Sequence, residues 1–150
     1  MTFRKIDQVH FVGIGGIGMS GIAELLLNLG FTVTGSDMNN SDNVQRLVNL
    51  GIDVKIGHDP LNVGKTDLLV YSSAVQLENP EIIKARQKGI PIIRRAEMLG
   101  ELISVKETSI AVGGTHGKTT TTALLAWLCL LLFGDFHHNI NFFKKGFYYV

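Results

Sequence analysis

Val9-His10-Phe11-Val12-Gly13-Ile14-Gly15-Gly16-Ile17-Gly18-Met19 is the stretch whose reading decides the fold. It reads as a buried strand, a glycine turn and the first turn of a helix. Gly13, Gly15 and Gly18 carry the spacing G-x-G-x-x-G, with Gly16 beside the second position. That spacing predicts a dinucleotide or nucleotide-diphosphate site. Gly13 permits the tight turn, Gly15 admits backbone N–H groups to a pyrophosphate, and Gly18 lets the helix pack close to the strand. The helix N-terminus then turns its free amides and positive dipole end toward the anion. A glycine-rich turn that binds nothing is the competing reading, and the flanking strand and helix weigh against it.

Outward from this turn the chain alternates strand and helix. Met19, Ile22, Ala23, Leu26 and Leu29 recur at helical spacing, and Gly30 supplies a stop. A second strand over 31–35 ends in Ser36-Asp37. An acid about 20 residues past the glycine turn is placed to bond ribose hydroxyls. Its other reading is a cap or turn former; distance and register favour the ribose. Ser41 opens a helix that Gly51 closes, residues 52–56 alternate as a short strand, and Gly57-His58-Asp59-Pro60 is a turn in which His58 reads as a loop residue. Residues 67–71 form a buried strand with Ser72-Ser73-Ala74 at its carboxyl end, where such sheets bind ligands. Those serines either face a phosphate or sugar or merely begin a loop. Asn79-Pro80 opens the next helix and Gly89 closes it, followed by a strand over 91–94 and a helix over 95–103. His10 reads as a packed, hydrogen-bonded structural residue. The expectation is a doubly wound, Rossmann-like parallel α/β sheet.

A second phosphate motif follows the strand predicted over 108–112: Gly113-Gly114-Thr115-His116-Gly117-Lys118-Thr119-Thr120. Backbone N–H groups in such a P-loop wrap a triphosphate, Lys118 reaches the β- and γ-phosphates, and the Thr119 hydroxyl is placed to ligand Mg²⁺. The position five before Gly117 is Val112, so the loop is one residue shorter than the general form if Gly113 is its first glycine. His116 reads as a loop residue rather than a catalytic base.

Composition narrows the classes. The chain has 150 residues, 45% hydrophobic and 18% charged, which excludes disorder and allows one domain with a sizeable core. Its net charge of +1 is scattered, so neither nucleic acid nor an anionic membrane is an expected partner. Cys129 is the only cysteine, which rules out an internal disulfide and fits a reducing cytoplasm. Residues 1–8 are polar, without the apolar segment of a secretory signal. The longest apolar run, 123–133, is 11 residues against about 20 for a spanning helix, so no stable membrane insertion is expected.

Taken together, the segment from Gly13 to Glu24, Gly35-Ser36-Asp37, Ser72-Ser73-Ala74 with Asn79-Pro80-Glu81, the segment from Arg94 to Leu99, and the segment from Gly114 to Thr120 resemble the Mur ligase family of peptidoglycan synthesis. The resemblance runs from about Val9 to Leu128. It implies an ATP-dependent acid–amino-acid ligase with UDP-N-acetylmuramate and L-alanine as substrates and ATP and Mg²⁺ as cofactors. It further implies a UDP-sugar-binding domain over 1–106, with Gly13, Gly15, Gly16 and Gly18 at the pyrophosphate, Asp37 at the ribose, and Ser36 and Ser73 nearby. The opening of an ATP-binding domain follows over 107–128. There Gly114, Thr115, His116, Gly117, Lys118, Thr119 and Thr120 hold ATP, with Lys118 and Thr119 in the catalytic role.

Residues 129–150 match nothing in that family. They hold seven of the chain's twelve aromatics and one acid, Asp135. The expectation is a truncation or shifted frame that leaves an N-terminal fragment, inactive alone, with a P-loop strand and helix whose sheet does not close. His137-His138 is weak as a metal site. Two other classes compete: an NAD(P)-binding oxidoreductase module, and a membrane-associated nucleotide-binding module anchored by 127–150.

Overall fold

The structure, a computed structural model, describes residues 6–104, 110–112, 115–132 and 147–149. Gly114, His137, His138 and the expected boundary near 106 lie outside the described residues. The chain divides into two compact units, 1–99 and 100–150.

In the first unit, β1 (Gln8–Val12), α1 (Ile17–Asn28), β2 (Thr32–Asp37), α2 (Asp42–Asn49), β3 (Asp53–Ile56), β4 (Leu68–Tyr71), α3 (Pro80–Gln87) and β5 (Ile92–Arg94) follow in order. A 3₁₀ turn spans Pro60–Asn62, and α4 (Arg95–Ser104) follows β5 and runs past the end of this unit at residue 99. The five strands make one parallel sheet in the order β3-β2-β1-β4-β5. Central position explains composition: β1 and β4 are covered on both faces, so Val9, Phe11, Val12 and all of β4 are buried and apolar. The edge strand β3 alternates Asp53, Val54, Lys55 and Ile56 and stays largely exposed.

The helix boundaries are local chemistry. The Ser41 hydroxyl accepts the Val44 amide at 3.4 Å to open α2, and the Asn79 side chain accepts the Glu81 amide at 2.9 Å just ahead of Pro80. Gly30, at φ +93°, turns the chain out of α1 into β2.

The close approach of α1's turn to the sheet falls at Gly35, not at Gly18 as the glycine spacing suggested. A Cβ on Gly35 would lie 2.6 Å from Ile14 Cδ1 and 2.8 Å from the Phe11 carbonyl oxygen. Gly18 instead faces Arg95, whose guanidinium would lie 3.0 Å from a Cβ there.

The second unit contains β6 (Ile110–Val112), α5 (Lys118–Leu132) and β7 (Phe147–Tyr149). β7 pairs parallel with β6, Ala111 opposite Tyr148. The aromatic tail thus supplies a strand beside the one that leads into residues 113–120. Phe-Tyr-Tyr has high β propensity, and a parallel pair needs a crossover of the length that contains α5. No described helix is long and apolar enough to cross a membrane.

Candidate functional site

Strand order reverses between β1 and β4, and a parallel sheet opens a crevice at the carboxyl ends of its strands where that happens. A cleft of about 630 Å³ lies there. Gly13, Gly15 and Gly16 line it from the β1–α1 turn, and Asp37, Met38, Asn39 and Ser41 from the β2–α2 loop. His58 adds the end of β3, and Ser72, Ala74, Val75, Gln76, Glu78 and Asn79 the β4–α3 loop.

The glycine turn is pinned to β2. Gly13, at φ +79°, and Ile14 both donate their amides to the Ser36 carbonyl, at 2.8 and 3.0 Å. The Gly15 amide donates to Asp37 Oδ2 at 2.8 Å, and the Asn39 amide donates to Asp37 Oδ1 at 3.0 Å. The Asn43 side chain donates to the Gly15 carbonyl at 2.9 Å. Asp37 therefore forms the turn and also lines the cleft; a carboxylate has about four lone-pair sites, so both oxygens can accept a further donor. α1 starts at Gly16 without a side-chain cap, leaving its first amides to other partners.

Two serines sit elsewhere than the ligand reading implied. Ser36 is fully buried and forms no part of the cleft wall. Ser73 is exposed outside it, while Ser72 and Ala74 line it.

Beneath the cleft lies a cluster that sequence reading missed. The Glu81 side chain is fully buried. Its Oε2 accepts from Ser36 Oγ at 2.7 Å and from His10 Nε2 at 3.1 Å. Its Oε1 accepts from the Asn62 amide group at 2.7 Å and the Asp59 backbone N–H at 3.2 Å. Burial pushes this carboxyl up, but the hydrogen bonds from His10, Ser36 and Asn62 outweigh it and hold the group below the usual glutamate range. His10 Nδ1 meets Thr34 Oγ1 at 2.8 Å, the hydrogen-bonded core role expected of it. His58, read from sequence as a plain loop residue, meets Ser36 Oγ at 3.0 Å through Nδ1 and forms part of the cleft wall. No spacing rule reveals it: Ser36 is 22 residues from His58 and 45 from Glu81.

In the second unit Thr115, His116 and Gly117 are exposed ahead of α5, with Gly117 at φ +76°. Lys118 opens the helix, and the Thr121 amide donates to the Gly117 carbonyl at 2.9 Å. The Thr122 hydroxyl donates to the Lys118 carbonyl at 2.8 Å, and Thr119 and Thr120 fall in the first turn. A glycine in the left-handed region immediately before a lysine at a helix start fits a phosphate-wrapping loop.

The Mur ligase family, catalytic domain, matches residues 8–107. The chain is similar to UDP-N-acetylmuramate–L-alanine ligase of Halorhodospira halophila, 58% identical over 125 residues, which are 83% of this chain and 26% of that protein. The ligase of the same name from Granulibacter bethesdensis is 60% identical over 121 residues, 81% of this chain and 25% of that one. Among solved structures, UDP-N-acetylmuramate-alanine ligase of Thermotoga maritima superposes with a TM-score of 0.79 at 38% identity, covering 83% of this chain and 29% of that one. A murein peptide ligase of Psychrobacter arcticus superposes at 0.75 and 33% identity, covering 83% and 26%. The chain thus spans about a quarter of the length of the curated relatives it matches. With two thirds of its residues under the family's own pattern and a doubly wound fold shared with these enzymes, the chain belongs to the Mur ligase family.

Proposed function

We propose that this chain is the UDP-sugar-binding portion, with the opening of the ATP-binding portion, of a ligase that joins L-alanine to the carboxylate of UDP-N-acetylmuramate. Residues 1–106 take the UDP-sugar, residues 107–128 begin the ATP site, and the protein acts in the cytoplasm. The observation that carries this reading is the cleft at the strand-order reversal, where the Gly13–Gly16 turn and the start of α1 face the Asp37 carboxylate. Identity of 58% to a ligase of that name supports the same substrates.

The cleft offers a diphosphate the amides at the start of α1 and offers a sugar hydroxyl the remaining lone pairs of Asp37. In the second unit the turn at 115–117 and the start of α5 wrap the phosphates, Lys118 supplies a compact positive charge, and Thr119 supplies the place for Mg²⁺. Bound ATP supplies the phosphoryl group that makes the muramoyl carboxylate an acyl phosphate, and Mg²⁺ offsets the phosphate charge. The L-alanine amine then displaces phosphate to form the amide.

Isothermal titration of the 150-residue chain with UDP-N-acetylmuramate tests this, with NAD and ATP–Mg²⁺ as comparators. Saturable binding of the UDP-sugar supports the reading. Binding of NAD in its place overturns it in favour of an oxidoreductase module.

A further inference from the structure

Glu81 stands in the first turn of α3, where an acid ordinarily faces the free amides of its own helix. Here the Asn79 side chain already accepts the Glu81 backbone N–H at 2.9 Å, and both carboxylate oxygens reach other elements. Their donors are His10 on β1, Ser36 on β2, and Asp59 and Asn62 after β3, from 19 to 71 residues away in sequence. A fully buried charge costs free energy that a well-packed apolar side chain would not. Capping α3 does not call for that cost. A fully satisfied polar network instead fixes one arrangement of the elements it joins.

Two of those bonds lead toward the cleft. The Ser36 hydroxyl donates to Glu81 Oε2 at 2.7 Å, while the Ser36 carbonyl accepts the Gly13 and Ile14 amides at 2.8 and 3.0 Å. One residue therefore joins the Glu81 carboxylate to the glycine turn. Asn62 makes the second link, its side-chain nitrogen donating to Glu81 Oε1 at 2.7 Å and to the Gly57 carbonyl at 3.2 Å. The Gly57 amide in turn donates to the Asp37 carbonyl at 2.8 Å. The β4–α3 loop, whose Gln76, Glu78 and Asn79 line the cleft, runs directly into Pro80-Glu81.

We infer that Glu81 is the positioning residue of the cleft: its buried carboxylate holds the glycine turn, the Asp37 backbone and the β4–α3 loop in one arrangement without touching the ligand. The inference rests on the UDP-sugar reading of the cleft and adds the group that forms the site before the ligand arrives. Loops ordered on folding need not be ordered on binding, and affinity gains by that difference.

The test compares Glu81→Gln, Ser36→Ala and Ala85→Gly in the full chain. Ser36→Ala keeps the carboxylate and removes the hydroxyl that joins it to the turn. Ala85→Gly weakens α3 at a buried position outside the cluster and reports what lost stability does by itself. UDP-N-acetylmuramate affinity, titrated where each variant is folded, should fall about tenfold or more in Glu81→Gln and Ser36→Ala. In Ala85→Gly it should fall less than about twofold. Without ligand, amide hydrogen exchange at Gly13 and Ile14 should quicken about tenfold or more in the first two variants and keep wild-type rates in Ala85→Gly. Should Glu81→Gln fail to fold, Ser36→Ala still decides. Wild-type affinity in the cluster variants, or an equal loss in all three, overturns the inference and leaves the UDP-sugar reading standing. If the wild-type chain binds no UDP-sugar, that reading falls and exchange at Gly13 and Ile14 decides, unchanged rates overturning the positioning role as well.

Discussion

The Gly15 backbone N–H donates to the Asp37 carboxylate across 2.8 Å, joining the glycine turn after β1 to the acid at the end of β2. The bond leaves no room at Gly15. A Cβ there would lie 2.8 Å from Val44 Cγ2, 2.9 Å from Asp37 Oδ2 and 3.0 Å from Ser41 Oγ. Gly15→Ala should therefore push Asp37 and the start of α2 away from the turn, costing roughly 1–3 kcal/mol of stability. It should weaken UDP-N-acetylmuramate at least tenfold in a calorimetric titration. An unchanged affinity would mean that the turn and Asp37 do not share a ligand.

Gly35 and Gly18 should respond differently to the same change. At Gly35 the added carbon meets the Phe11 carbonyl, which belongs to the central strand and cannot yield without disturbing the sheet. Gly35→Ala should lower stability by roughly 1–3 kcal/mol. At Gly18 the neighbour is the flexible Arg95 side chain, and α1 gains an alanine in place of glycine, worth up to about 1 kcal/mol in helix propensity. Gly18→Ala should be close to neutral. Urea unfolding midpoints of the two variants make the comparison.

Glu81 should make the first unit acid-sensitive. Its folded pKa lies below the ordinary value of 4.5, so the folded state holds fewer protons than the unfolded state in that range. The stabilisation is fully present above about pH 4.5 and is lost as pH falls through the lower folded value. Glu81→Gln removes the charge that four side-chain and backbone donors share, at a cost of about 1.5–3 kcal/mol near neutrality. That variant should also show a shallower loss of stability between pH 5 and 3. Thermal unfolding across that range reads both effects, and parallel curves would contradict the assignment.

Lys118 should separate the two proposed nucleotide sites. It opens α5 in the second unit, while the cleft is built within the first. Lys118→Ala should leave UDP-N-acetylmuramate affinity unchanged and reduce any ATP–Mg²⁺ affinity at least tenfold, as parallel titrations would show.

What was legible in the sequence was what local chemistry determines. Ser41 and Asn79 cap the helices their types and positions indicate, and the buried runs 9–12 and 68–71 form two paired interior strands. The glycine turn and Asp37 come together because both end adjacent parallel strands. Ser36 escaped correct reading because its neighbour Asp37 lines the cleft while its own side chain points the other way, into the Glu81 cluster. That cluster joins β1, β2, the loop after β3 and α3, with His10 and Glu81 71 residues apart. No periodicity records such a meeting. β7 was missed for a related reason: a three-residue strand carries no period, and its partner β6 lies beyond a helix.

The most direct test of the central claim is to map UDP-N-acetylmuramate onto the backbone amide resonances of the 150-residue chain by NMR titration. Saturable shifts are expected at Gly13, Gly15, Gly16, Asp37, Asn39 and His58, with residues 115–120 unmoved. Shifts confined to residues 115–120, or none at millimolar ligand, would contradict it.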